Sequence, residues 1–114
     1  MAGLPLLLVA RLAWAGPADA ALTTGVIALE HGDVPRALAK LEAAMADPSQ
    51  LKPRHVPRGW KALAEARMRG ADAAEAPALA SGLQQGALAA AGHCLEDEKY
   101  GADCAEVQMR AAIS

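Results

Sequence analysis

The chain has 114 residues, of which 54% are hydrophobic but only 3% aromatic, and it contains no Phe. Its apolar side chains are therefore mostly small, with Ala supplying the largest share. Ala has the highest helix propensity, whereas the aromatic and β-branched residues that strands prefer are scarce, so we expect an all-α fold. The length allows one domain and excludes a barrel or a doubly wound sheet. A formal net charge of −2 argues against a nucleic-acid binder, because such proteins usually carry a strongly basic surface.

Residues 1–20 are predicted to be a cleavable signal peptide. Leu4 to Ala10 form an apolar run, Arg11 interrupts the apolar stretch, and the segment closes with Ala18-Asp19-Ala20. Since a signal peptidase accepts small residues around its cut, we expect cleavage after Ala20 and an exported protein, periplasmic or secreted. The alternative is a cytoplasmic protein whose N-terminal helix packs on the rest. The run falls short of the roughly 20 apolar residues of a membrane span, so no integral membrane segment is expected.

Residues 21–114 divide into five or six predicted helices at Gly, Pro and Asp signals. The helices are expected at about 21–31, 34–46, 60–69, 72–82, 83–96 and 103–113. Gly32 suits the left-handed position that ends the first helix, and Asp33 suits the cap of the second. Asp72 with Glu75 resembles a capping box that opens the fourth helix, which Pro77 then bends.

The segment from Gly32 to Pro48 carries a regular pattern of small and bulky residues. A Gly-Asp turn is followed by one buried stripe at helical spacing, and Asp-Pro closes the segment; the stripe consists of Ala37, Leu38, Leu41, Ala44 and Met45. This pattern resembles the second helix of a tetratricopeptide repeat (TPR). Gly25 stands twelve residues before Ala37, where that family places a small residue of its first helix. Helices of a hairpin approach closely only where both carry Gly or Ala.

The resemblance continues more loosely along the chain. Trp60 and Ala76 have the sixteen-residue separation of the family's early aromatic residue and its second-helix Ala, although Arg67 stands where an apolar residue is expected. A third, degenerate unit pairs Leu88 and its neighbours with the C-terminal run. The resemblance implies antiparallel helix hairpins stacked as a short right-handed superhelix, with units at about 21–48, 60–83 and 84–114. The alternative fold is an Ala-rich helical bundle.

A repeat of this kind implies a groove lined by the first helix of each hairpin. The groove-facing positions of the family correspond to Leu22, Val26, Leu29, Lys61, Glu65, Met68, Arg69 and His93. The resemblance implies a peptide or partner helix bound there, with Lys61 or Arg69 selecting an acidic or C-terminal carboxylate group. The alternative for Leu22, Val26 and Leu29 is burial against the N-terminal segment or another subunit, and Met68 is equally ordinary in a core.

The predicted function is therefore a non-catalytic protein–protein interaction module, an adaptor or scaffold of the cell envelope or the secreted space. The alternative is a structural or assembly subunit of a larger envelope or secretion complex. No exposed-serine turn, phosphate-binding Gly-rich loop or zinc-binding His-Glu-x-x-His helix occurs in the sequence, so we expect neither an enzyme nor a cofactor or metal. The acidic run Glu96-Asp97-Glu98 is interpreted as a solvated helix end.

Two further features have competing interpretations. Cys94 and Cys104 flank a turn between helices, and in an exported protein they are expected to form a disulfide; reduced thiols and a metal or redox site are the alternatives. The basic stretch from Lys52 to Lys61 contains Trp60 and could bind an acidic partner or a phosphate. We favour a solvated linker, because Pro and charge are what a long exposed loop requires.

Overall fold

The computed structural model describes residues 16–113, so most of the predicted signal peptide lies outside the described residues. Five α-helices follow one another within that range: α1 Pro17–Glu30, α2 Val34–Met45, α3 Val56–Ala73, α4 Pro77–Gly92 and α5 Gly101–Ile113. Two short 3-10 helices, Pro48–Gln50 and Pro53–His55, connect α2 to α3. No strand occurs between residues 16 and 113, and the predicted all-α class is confirmed. None of the described helices is long and apolar enough to cross a membrane.

The helices alternate between two layers. Each helix packs on the one that follows it, while α1 also contacts α3 and α3 contacts α5. The odd-numbered helices therefore line one side of the array, and α2 and α4 line the other. Stacked helix hairpins have this contact pattern, because the first helix of each hairpin meets the first helix of the next.

The core consists of small side chains with a few large ones between them. Many of the buried residues are Ala, and the largest fully buried side chains include Leu22, Leu41, Leu63 and Met68. Gly25 of α1 lies directly over Leu41 of α2: a Cβ at Gly25 would be 2.6 Å from the Leu41 Cγ and 3.2 Å from its backbone nitrogen. The predicted close approach of the first two helices at Gly25 is thus confirmed.

The turn between α1 and α2 has the predicted chemistry. Gly32 adopts a φ of 78°, which only Gly adopts without strain. The N–H of Asp33 donates to the carbonyl of Ala28 at 2.9 Å, and the Asp33 carboxylate accepts the N–H of Arg36 at 3.3 Å. The predicted helix end at Gly32 and the predicted cap at Asp33 are both present.

The predicted helix boundaries in the middle of the chain are wrong. The α3 helix starts at Val56, with Pro57 in its first turn, and runs beyond Gly70 to Ala73, so Asp72 and Glu75 open no helix. Residues 77–92 form a single helix, because Pro77 occupies its first position, where a missing N–H costs no hydrogen bond. The boundary expected at residues 83 and 84 therefore falls inside α4. The described array consists of two hairpins, α1–α2 and α3–α4, followed by α5.

Cys94, just after α4, and Cys104 of α5 form a disulfide, as predicted. Their sulfur atoms are bonded and their Cα atoms are 6.0 Å apart. Both side chains are buried. The bond closes the loop of residues 95–103, which includes Lys99 and Tyr100, against the end of α4. It adds covalent stabilisation to a core with little large apolar surface.

Substitution of the glycine at the α1–α2 contact tests the packing argument. We expect Gly25→Ala to destabilise the protein by about 1–2 kcal/mol, because overpacking at Leu41 outweighs the gain in helix propensity. Gly82→Ala is the matched control, since a Cβ at Gly82 would meet nothing within 4 Å. The control should stabilise α4 by about 0.5–1 kcal/mol. Urea unfolding followed by circular dichroism measures both, and equal effects would contradict the close approach.

Removal of the disulfide tests its contribution to stability. The double substitution Cys94→Ala with Cys104→Ala should lower the free energy of unfolding by about 2–3 kcal/mol. Without the bond that closes this short loop, the unfolded chain has a higher conformational entropy. Hydrogen exchange in residues 95–100 should also become faster. The oxidised protein should resist alkylation until it is unfolded and reduced. An unchanged urea midpoint for the double variant would rule out a stabilising role.

Candidate functional site

A cleft of about 490 Å³ opens between α1, α3 and the loop that precedes α5. We call it the inner cleft; its lining is Val26, Leu29, Glu30, Arg58, Lys61, Ala62, Glu65, Arg69, Lys99 and Tyr100. Five of the eight predicted groove residues meet there, namely Val26, Leu29, Lys61, Glu65 and Arg69. The structure thus brings together the stripes predicted on the first and third helices.

The α3 helix positions one wall of the inner cleft. Lys61, Glu65 and Arg69 are spaced by four residues, so they lie above one another on the same face of the helix. Ala62, beside them, is small and buried, which leaves room between α3 and the α1 side chains Val26 and Leu29. The lining of the cleft therefore combines apolar and charged side chains.

The inner cleft is more cationic than the protein as a whole. Four cationic and two anionic side chains line it, although the chain carries a formal net charge of −2. Lys61 Nζ lies 3.6 Å from a Glu65 oxygen and 3.7 Å from an Asp103 oxygen. These are long, partly solvated ion pairs, which contribute little stability. A carboxylate from a ligand can therefore replace them at low cost.

Arg69 has a structural partner as well as a place in the cleft. Its Nη1 donates to the carbonyl of Leu29 at 2.9 Å, at the C-terminal end of α1. The same carbonyl also accepts the N–H of Gly32 at 3.1 Å, so Arg69 is its second donor and places positive charge at the end of the helix that the dipole favours. Arg58, by contrast, forms no ion pair with any residue of the described chain. Its guanidinium is available to a ligand.

Asp97 holds Lys99 and Tyr100 in place on the other wall. One of its carboxylate oxygens accepts the N–H of Lys99 and the N–H of Tyr100, each at 2.9 Å. Its carbonyl accepts the N–H of Gly101 at 2.8 Å. Lys99 Nζ lies 5.4 Å from the centre of the Tyr100 ring, within cation–π range. The sequence predicted only a solvated helix end at Asp97. In the structure its carboxylate and carbonyl fix the backbone of Lys99, Tyr100 and Gly101.

A second hollow adjoins the inner cleft. It is lined by Pro53, Arg54, His55, Pro57, Arg58, Asp97, Lys99 and Tyr100, and we call it the outer hollow. It shares Arg58, Lys99 and Tyr100 with the inner cleft, so the two form one continuous surface. The cations along it, which we call the cationic strip, are Arg54, Arg58, Lys61, Arg69 and Lys99. The basic segment that we interpreted as a solvated linker supplies three of the five.

Three of the predicted groove residues lie elsewhere. Leu22 and Met68 are each 1% exposed and belong to the core. A core position was the alternative for Met68, whereas for Leu22 the alternative was burial against the N-terminal segment or another subunit. His93 stacks on Trp60 with ring centroids 4.1 Å apart, outside the inner cleft. Arg58, Lys99 and Tyr100 were absent from the predicted set. Arg58 belonged to a basic segment that could have indicated it, whereas Lys99 and Tyr100 carried no signal because a loop brings them to the cleft.

The chain matches no family model, no curated protein and no solved structure. Within residues 16–113, no group of three or more His, Cys, Asp or Glu side chains is arranged to hold a metal ion. The geometry and charge of the cationic strip are therefore the features of the chain that indicate a function.

Asp19 connects the start of α1 to the edge of the outer hollow. His55 Nδ1 lies 2.7 Å from a carboxylate oxygen of Asp19, and the N–H of Lys52 donates to the same oxygen at 3.3 Å. Because an ionised carboxylate only accepts hydrogen bonds, Nδ1 of His55 is the donor. Partial burial raises the pKa of Asp19, whereas the hydrogen bonds from His55 and Lys52 lower it. The lowering effects together are larger, so the pKa of Asp19 lies below the ordinary value of 3.8.

This pKa shift predicts the pH dependence of stability. A carboxylate whose pKa is lowered by folding stabilises the protein at pH values above the pKa that it has in the unfolded chain. This stabilisation is lost as the pH falls through the pKa of the folded state. Asp19→Asn should thus cost about 1 kcal/mol at pH 7, and the difference should shrink below about pH 3.8. Urea unfolding at pH 7 and pH 3 measures it. Asp72→Asn is the control, because its ion pair with Arg110 is exposed; equal losses at pH 7 would contradict the Asp19 assignment.

Proposed function

We propose that the protein is a non-catalytic interaction module, a TPR-like superhelix whose inner cleft binds an extended acidic peptide of a partner protein. The alternation of contacts among α1, α2, α3, α4 and α5 supports the TPR-like arrangement, as does the close packing at Gly25. In such an array the first helices of the hairpins face the ligand, and α1 and α3 line the inner cleft.

The cationic strip is the observation that carries this proposal. Its charges gather on one surface of a chain that is acidic overall, and apolar groups of Val26, Leu29 and Tyr100 lie beside them. This combination suits a peptide that alternates carboxylate and apolar side chains. Charges placed in this way also attract an acidic partner before contact, so binding should weaken as salt concentration rises.

The dimensions of the strip indicate a short recognition segment. Lys61 and Arg69 are eight residues apart on α3, or roughly 12 Å along the helix axis. An extended peptide covers this distance with about four residues. The outer hollow extends the same surface beyond Arg58 and Lys99 toward Arg54. A C-terminal carboxylate or a further acidic side chain bound near Arg58 would complete the contact.

The proposed location is the periplasm or the secreted space. The Cys94–Cys104 disulfide supports it, because such bonds persist in oxidising compartments and are rare in the cytosol. The disulfide also constrains the loop that contains Lys99 and Tyr100. An oxidising compartment would therefore favour the proposed binding as well as the stability of the fold.

A second candidate function is a structural or assembly subunit of a larger complex. The specific observation in its favour is on α5, where Met109 is 64% exposed and Ile113 is 82% exposed. Exposed apolar residues on a terminal helix of a stacked array suit contact with a further helix. Self-association in sedimentation experiments, together with an absence of peptide binding, would favour this candidate.

Peptide binding measured by fluorescence anisotropy tests the proposed module. The probe is a labelled peptide of about eight residues with alternating Glu and Leu, and its lysine counterpart is the negative control. We expect the acidic peptide to bind and its affinity to fall with added salt. Arg58→Glu and Lys61→Glu should each weaken binding about tenfold or more, since each removes a charge-assisted contact and adds a repulsive one.

The matched control is Lys40→Glu, which makes the same charge change at an exposed position of α2 outside both the inner cleft and the outer hollow. Arg58→Glu should also preserve the fold, because a carboxylate in the first turn of α3 is favourable for the helix dipole. Circular dichroism checks that the variants are folded. Equal binding by Lys61→Glu and Lys40→Glu would refute the inner cleft as the binding surface.

A further inference from the structure

The folded part of the chain begins before the predicted cleavage position. The α1 helix starts at Pro17, and the carbonyl of Gly16 accepts the N–H of Ala20 at 3.1 Å. A cut after Ala20 would fall inside this helix and remove its first turn. The described fold thus includes residues on the N-terminal side of the cleavage position that the sequence alone indicated.

The first turn of α1 contributes tertiary contacts. Ala18 packs against the core, and Asp19 receives hydrogen bonds from His55 and from the N–H of Lys52. These bonds join α1 to a segment more than thirty residues away and secure the connection between α2 and α3. A chain that started at Ala21 would lose all of these contacts. A mature protein that keeps them must retain residues 17–20.

A second motif for cleavage lies immediately before Gly16 in the sequence. Ala13-Trp14-Ala15 has small residues at the two positions that a signal peptidase recognises, separated by a large one. The apolar run from Leu4 to Ala10 then has seven residues, within the range of about 7–15 that such signals use. With this boundary, Arg11 lies between the apolar run and the cleavage motif. It no longer interrupts an apolar segment.

We propose that a signal peptidase cleaves the bond between Ala15 and Gly16. Water adds across this peptide bond, which leaves a carboxylate on Ala15 and an amine on Gly16. The mature protein then starts at Gly16 and retains the whole of α1, with Ala18 and Asp19 in place. This inference rests on the proposed export of the chain and adds the position at which it is processed.

The N-terminus of the exported protein tests this site. The full chain is expressed in a bacterial host with a general secretory pathway, and periplasmic material is examined by intact mass and N-terminal sequencing. We expect the new N-terminus to be Gly16. Ala15→Leu should prevent this cleavage and cause the precursor to accumulate, because a large residue does not fit the peptidase pocket next to the cut. Ala20→Leu is the matched control, and its product should still start at Gly16.

The other outcomes separate the two proposals. A mature N-terminus at Ala21, or processing blocked by Ala20→Leu and not by Ala15→Leu, would overturn the Ala15 site and preserve export. A processed chain with any other N-terminus would do the same. A chain that stays in the cytosol at its full mass would overturn export and the processing site together.

Discussion

A methyl group at Gly25 would lie 2.6 Å from the Leu41 Cγ, so α1 and α2 are closer at this point than a larger residue allows. The same constraint recurs between α2 and α3, where a Cβ at Gly59 would collide with Met45. With few large side chains available, the chain gains dispersion contacts by bringing its helix backbones close together. This close packing fixes the positions of α1 and α3, and the inner cleft between them follows from it.

The cleft also depends on interactions outside the helices. The disulfide and the Asp97 hydrogen bonds hold Lys99 and Tyr100 against the wall formed by α3, and Arg69 joins α3 to the end of α1. If the cleft binds a peptide as we propose, a surface held in this way loses little conformational entropy on binding. Lys61 is different, because its two partly exposed ion pairs are weak and a ligand carboxylate can take their place.

Part of this arrangement was predictable because its causes are local. Gly32 adopts the left-handed conformation that ends α1, and Asp33 caps α2 through an N–H three residues away. Pro77 shows the limit of local rules. Its ring bends a helix from an interior position but suits the first position, and only the true start of α4 decides which applies. The predicted division into two helices near Gly82 also falls inside α4, where the helix continues without a break.

The sequence by itself determined the helical class, the α1–α2 turn, the small residue at Gly25 and five of the residues that line the inner cleft. Helix propensity, caps and stripes act over a few residues, so the helical class, the turn and the helix face on which each of these residues lies require no distant contact. Only the tertiary structure decided that Leu22 and Met68 are core residues, that Arg58, Lys99 and Tyr100 complete the cleft, and that Asp19 belongs to the fold. Each of these outcomes depends on contacts between segments far apart in the chain, for which a single sequence contains no local signal.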